Sequence, residues 1–116
     1  MSSEEEQQKR ALRAELRERR QLLSPAQRDA AAEGITAQLD ALVAAHDATS
    51  VSCFLSATTE PGTWEFVQHA VARGIRVLLP ITRADGLLDW AVADDSGEIA
   101  EGMFGLPEPT GEVLGP

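Results

Sequence analysis

Up to His46 the hydrophobic residues recur at helical spacing, and from Val51 onward they follow the patterns of strands. Leu12, Leu16 and Leu23 form a narrow stripe on a first helix. Ser3 is placed to cap it, with Glu4, Glu5 and Glu6 in the first turn and Arg17, Arg19 and Arg20 near the end, an order that suits the helix dipole. Ser24-Pro25 predicts a second helix, with serine as N-cap and proline at the first helical position. Ile35, Leu39, Leu42 and Val43 are its apolar face, and it is expected to end near Ala45 or His46. Gly34 inside it costs about 1 kcal/mol relative to alanine, and nothing in the sequence accounts for it.

Val51 to Pro80 is the stretch around which the chain is organised. Val51 to Leu55 is too short for a typical helix and is rich in strand formers. Ser56 to Gly62 is a polar loop with Pro61-Gly62 as its turn signal. Thr63 is expected to cap a third helix, and Gly74 sits where a glycine ends one. Trp64, Val67, Ala70 and Val71 share the apolar face between them. Ile75 to Leu79 reads as a second buried strand, stopped by Pro80. Strand, helix and strand make a βαβ unit, with parallel strands and a right-handed crossover.

After Pro80, Arg83-Ala84-Asp85-Gly86 is a turn sequence, and Leu88, Trp90 and Val92 alternate with Asp89 and Ala91. That predicts a strand returning antiparallel to the second. From Asp94 the chain reads as loop, with five glycines and three prolines, and Met103 to Pro109 reads as too irregular for a strand interior. The fold class is therefore α/β. Three strands are a small sheet for three helices, and parallel sheets are normally buried on both faces. The expectation is that residues 1–116 are the N-terminal part of one larger α/β domain; a small complete domain with an irregular tail is the alternative. An incomplete sheet leaves apolar surface and a strand edge uncovered, so low stability in isolation is also expected.

A chain of 116 residues is one domain at most, and at 43% hydrophobic it can bury a core. Its net charge of -9 disfavours nonspecific binding to nucleic acid or an anionic membrane. No apolar run is long enough to span a bilayer. The opening M-S-S-E-E-E has neither the basic nor the apolar region of a secretory leader, so a cytoplasmic location is expected. Cys53 lies in the first predicted strand and reads as a small buried hydrophobe. His46 and His69 have no ligand partners at metal-site spacing, and no zinc site is expected.

Two places carry candidate chemistry. Six of the ten Lys and Arg residues lie between Lys9 and Arg20, and Lys9, Arg13, Arg17 and Arg20 share a face beside the leucine stripe. This face can be a solvated surface paired with Glu15 and Glu18, an anion site for phosphates, or an arm for RNA. The acidity of the whole chain weakens the last. The other place is Glu60. In open α/β sheets ligands bind outside the carboxyl ends of the strands, and Glu60 follows the first one. On the residues alone the better reading is an ordinary loop acid.

Several short segments together resemble one family. Gln8-Lys9-Arg10-Ala11-Leu12-Arg13-Ala14-Glu15-Leu16 is similar to the K-x-x-L-R opening of 5-formyltetrahydrofolate cyclo-ligases, also called methenyltetrahydrofolate synthetases. Phe54-Leu55-Ser56, followed by Glu60 and Thr63, resembles that family's first strand and E-x-x-T loop. Gly74 to Pro80 matches its G-x-x-V-x-L-P strand, and Phe104 to Pro109 looks like its F-G-I-x-E-P segment. The four occur in the family's order over essentially the whole chain.

The resemblance implies a three-layer α/β/α fold with a mixed, mainly parallel sheet, here apparently incomplete. It implies ATP- and Mg2+-dependent conversion of 5-formyltetrahydrofolate to 5,10-methenyltetrahydrofolate, with release of ADP and phosphate. ATP phosphorylates the formyl oxygen, N10 attacks the activated carbon, and phosphate leaves. Carried over by motif, Lys9, Arg10, Ala11, Leu12 and Arg13 contact ATP, while Leu55 and Glu60 line the folate site. No catalytic residue, metal ligand or protein partner is implied within this chain. The family's G-x-G-x-G-Y-Y-D segment and magnesium-ligating aspartates have no counterpart in the 116 residues. The chain by itself is therefore expected not to complete the reaction. A noncatalytic truncated form of the fold is the alternative, and a small RNA-associated module is a third.

Overall fold

A computed structural model of the chain describes residues 3–57, 59–94, 99–101, 107–109 and 111–116. Helix α1 spans Glu4–Gln21, α2 Pro25–Ala45 and α3 Trp64–Ala72. Strands β1 (Ser50–Ser52), β2 (Arg76–Thr82), β3 (Leu88–Val92) and β6 (Val113–Gly115) form one sheet in the order β1-β2-β3-β6. Strands β4 (Ile99–Glu101) and β5 (Pro107–Pro109) pair with each other.

The α/β class and the mixed sheet are as the sequence implies. β1 and β2 are parallel across α3, with Val51 opposite Val77, so the βαβ unit is present. The other two pairings of the sheet, β2 with β3 and β3 with β6, are antiparallel.

Local sequence explains the helix ends. The Ser3 hydroxyl accepts from the Glu6 amide at 3.1 Å. Ser24 and Gln27 exchange side-chain and backbone bonds in a capping box, with Pro25 at the first helical position. Gly74 has φ of 80°, a conformation glycine adopts without strain. It ends α3 in a Schellman turn, the Gly74 amide donating to Val71 and the Ile75 amide to Ala70.

The core is Val43 from α2, Phe66, Val67 and Ala70 from α3, Val77 and Leu79 from β2, and Leu55 from the segment after β1. Helices α2 and α3 are further joined where Asp40 meets His69 Nδ1 at 2.8 Å and Arg73 at 3.2 Å. Helix α1 stands apart. None of its residues is buried, with Leu12 at 54% and Leu16 at 45% exposure. The radius of gyration is 16.4 Å, against about 13 Å for a compact chain of this length. The turn to α2 is held by Arg28, whose guanidinium donates to the carbonyls of Arg20 and Leu23 at the end of α1. A cation there also complements the negative end of the helix dipole.

Several expectations change. The first strand is shorter than Val51 to Leu55, although the Cys53 amide still donates to Leu78 before the chain turns away. Pro80 does not stop β2, which continues to Thr82. The Cys53 amide donates to the Leu78 carbonyl, so the next rung of the parallel ladder would run from the N–H of residue 80 to the Cys53 carbonyl. Pro80 has no N–H to give, so the pairing with β1 ends there while β2 continues paired with β3. Phe66, omitted from the expected apolar face of α3, is among its buried residues. The region after Asp94 is not all loop: β4, β5 and β6 each have three residues, too short to leave a periodic signal. The Phe104-Gly105-Leu106 part of the family-like segment lies outside the described residues.

These contrasts predict unequal mutational costs. Phe66→Ala should destabilise by about 3–5 kcal/mol, the cost of truncating a buried aromatic. Leu12→Ala should stay within about 0.5 kcal/mol, as expected for a surface change. Urea unfolding followed by circular dichroism measures both, and equal losses would place α1 in the core.

Candidate functional site

Two surfaces hold the residues singled out by sequence. The first is the outer face of α1. Lys9, Arg10, Ala11, Leu12 and Arg13 are all exposed there. Lys9, Arg10, Arg13, Ala14 and Arg17 line a shallow groove with Glu6 at one end. The i, i+4 spacing of Lys9, Arg13 and Arg17 stacks their side chains along one edge. Arg19 pairs with Glu15 at 2.6 Å. Lys9, Arg10, Arg13 and Arg17 make no ion pair within the described residues, so their charge is not neutralised internally. Such a groove suits an extended polyanion, because arginine can meet phosphate oxygens in bidentate fashion.

The second surface is the loop at the carboxyl end of β1. It is built almost wholly from its own hydrogen bonds. The Ser56 amide donates to Thr63 Oγ1 and the Thr63 amide to Ser56 Oγ, both at 3.1 Å. Thr63 Oγ1 donates in turn to the Phe54 carbonyl at 2.7 Å. Trp64 Nε1 donates to the Ser56 carbonyl at 2.8 Å. Ser56 and Thr63 are both buried. Thr63 does stand at the N-cap position of α3, but its hydroxyl makes no cap bond to the helix. The loop takes that hydroxyl instead.

Glu60 is exposed, and its Oε1 accepts from the Ala57 amide at 2.7 Å. The Glu60 amide donates back to the Ala57 carbonyl at 3.1 Å. The carboxylate therefore closes a tight turn and also stands at the loop surface. Leu55 is different: its side chain is packed into the core. No hydrogen bond or ion pair links residues 9–13 with Leu55 or Glu60 among the described residues, and α1 makes no extensive contact with β1 or α3. The two surfaces are separate in this structure.

Sequence spacing did not single out Ser56 and Thr63 as a pair. They are seven residues apart across Pro61-Gly62, and no local rule joins them. Their types offered the one clue, since two small hydroxyl residues bracketing a turn can satisfy loop amides.

Among the described residues no group of three or more His, Cys, Asp and Glu side chains is placed to hold a metal ion. No helix among them is long and apolar enough to cross a membrane.

An α/β domain with a βαβ unit, a shaped loop at the carboxyl end of its first strand and a basic surface helix defines the class of protein. The sequence profile of the 5-formyltetrahydrofolate cyclo-ligase family matches residues 5–116, and the chain belongs to that family. The fold is similar to the NMR structure of Aquifex aeolicus 5,10-methenyltetrahydrofolate synthetase, with a TM-score of 0.73 at 20% identity. That alignment covers 91% of this chain and 54% of the other, so the chain spans about half the length of its structural neighbour. No curated protein matches the sequence.

Cys53 is half-buried next to this loop, and its Sγ lies 3.3 Å from the Phe54 carbonyl. Burial pushes its pKa up, with a hydrogen bond to Thr63 opposing. A raised pKa leaves less thiolate at pH 8, and the thiolate is the reactive form. An aromatic disulfide reagent should therefore modify Cys53 more slowly in the native chain than in denaturant. Equal rates would show that the segment after β1 is open.

Proposed function

We propose that this chain supplies the nucleotide-contacting and folate-contacting elements of an ATP-dependent 5-formyltetrahydrofolate cyclo-ligase. The observation that carries this reading is the set of internally unpaired cations along one groove of α1: Lys9, Arg10 and Arg13 of the K-x-x-L-R segment, with Arg17 one turn further on. ATP presents a line of phosphate oxygens, and catalysis of phosphoryl transfer rests mainly on positioning and charge neutralisation. Lys9 and Arg13, one turn apart, offset that charge. The loop of Ser56 to Thr63 receives 5-formyltetrahydrofolate at the carboxyl end of β1, with Glu60 at its surface.

The chemistry the nucleotide supplies is activation of the formyl oxygen as a phosphate ester. The chain's own residues bind and orient. Among the described residues no group of three or more His, Cys, Asp and Glu side chains is placed to hold a metal ion, and Mg2+ that arrives with ATP is held mainly by the phosphates with one or two carboxylates. The chain alone is expected to leave the reaction incomplete, since the family's Gly-rich segment has no counterpart in its 116 residues. A noncatalytic form that keeps the fold is the second reading.

Ligand binding by calorimetry and turnover by the near-ultraviolet absorbance of the methenyl product separate these readings. The chain is expected to bind ATP and to give no product. Robust turnover by the chain alone would contradict the assignment of an incomplete site, and absence of ATP binding would favour the noncatalytic reading.

Lys9 is the only lysine of the chain. Lys9→Ala keeps a strong helix former at that position. Losing a hydrogen bond to a charged group costs about 1.5–3 kcal/mol, so ATP affinity should fall about 10- to 150-fold. Glu60→Gln should weaken binding of 5-formyltetrahydrofolate more than binding of ATP. Unchanged ATP affinity in a folded Lys9→Ala chain would return the basic face to a solvated surface.

A further inference from the structure

The loop after β1 is ordered by its own hydrogen bonds, with only its start, Leu55, in the core. Ordering a polar segment without helix or strand pairing loses about 1–2 kcal/mol of backbone entropy per residue. A cap hydroxyl lost from a helix typically costs about 1 kcal/mol more. Yet Thr63, at the cap position of α3, turns its hydroxyl away from the helix amides. It bonds instead to the Ser56 amide and the Phe54 carbonyl. Ser56 returns a bond to the Thr63 amide, and Trp64 fastens the Ser56 carbonyl. Two buried hydroxyl side chains thus have several of their bonds directed at one another's backbone.

The far end of the same loop is held by close packing. A Cβ at Gly62 would lie 3.1 Å from Ala32 Cβ of α2. The loop is therefore fastened at its two ends, to itself through Ser56 and Thr63 and to α2 through Gly62. Ala57 to Glu60 stands between these fastenings, and there the Glu60 carboxylate closes its turn on the Ala57 amide.

We propose that Ser56 and Thr63 are positioning residues that hold the Glu60 turn in the conformation needed to receive the folate, and that neither hydroxyl touches the ligand. This rests on the folate reading of the loop given above. Binding residues are held by groups whose own bonds fix them, and loosening that support is felt as lost affinity. Thr63→Val keeps the shape and removes the hydroxyl. Ser56 and Phe54 then lose a backbone partner each, while the residues of α1 are untouched. Thr63→Ser restores the hydroxyl without the methyl group.

The test measures binding of 5-formyltetrahydrofolate and of ATP to the full chain and both variants, with thermal unfolding on the same samples. In Thr63→Val, folate affinity should fall roughly 10- to 100-fold, the scale typical of a lost supporting contact. ATP affinity should be unchanged, and Thr63→Ser should recover most of the folate loss. Equal losses for both ligands, or a folded Thr63→Val chain that binds folate normally, would overturn the proposal. Hydrogen exchange at the Ala57 and Glu60 amides tests the hold on the turn without any ligand. Exchange should accelerate there in Thr63→Val and not in α1, and unchanged exchange would overturn the proposal. A wild-type chain that binds no folate while its variant shows this faster exchange would instead sink the folate reading and leave the clamp standing.

Discussion

The reciprocal bonds between Ser56 and Thr63 set the geometry of the loop at the carboxyl end of β1. A strand that ends after three residues cannot by itself aim the segment that follows. Here the aim comes from two hydroxyls and two amides that satisfy each other at 3.1 Å. Because both side chains are buried, leaving either without its partner would cost about 1–3 kcal/mol, and the arrangement holds as a unit. The βαβ unit frames this pair: β1 and β2 run parallel, α3 covers them, and Leu55 anchors the loop's start in the core. The exposed Glu60 is thus placed by buried neighbours.

The other ligand surface follows a different logic. α1 buries none of its residues, so packing does not define its direction. Its position relative to α2 is set by a capped turn and by Arg28 on the last carbonyls of α1. Charge organises it: acids in the first turn, cations along one edge, and the cations of the groove unpaired within the described residues. Interactions of exposed charges weaken with salt over a Debye length of about 10 Å at 0.1 M. Binding of an anion on this face should therefore be salt-sensitive, whereas the loop, held by buried hydrogen bonds, should be much less so.

Much of this was legible in the sequence where short-range rules apply. Ser24-Pro25, Gly74 and the Arg83 to Gly86 turn each announced an element boundary through their own backbone preferences. Glu60 stands in the loop that follows the first strand, as its place in the sequence implies. The clamp was not visible, because Ser56 and Thr63 meet across a turn and neither spacing is periodic. Thr63 looked like a cap, and only the fold shows that its hydroxyl serves the loop. Pro80 looked like a terminator, because strand-breaking is a rule about missing donors. The missing donor ends the pairing with β1 and leaves the pairing with β3, through which β2 continues. Phe66 escaped the helical stripe, and β6 was too short to declare itself. For α1, Leu12 and Leu16 do lie on the helix while Leu23 falls beyond its end, and a stripe says nothing about whether another element covers it.

The central claim is that one small α/β chain carries two distinct ligand-contacting elements, a basic helix and a clamped loop. Backbone amide shifts followed by NMR during separate titrations with ATP and with 5-formyltetrahydrofolate test it most directly. The account predicts that ATP moves the amides of residues 9–13 and leaves the loop still, while the folate moves those of residues 54–63 and leaves α1 still. Shifts from ATP centred on the loop, or from the folate centred on α1, would contradict it.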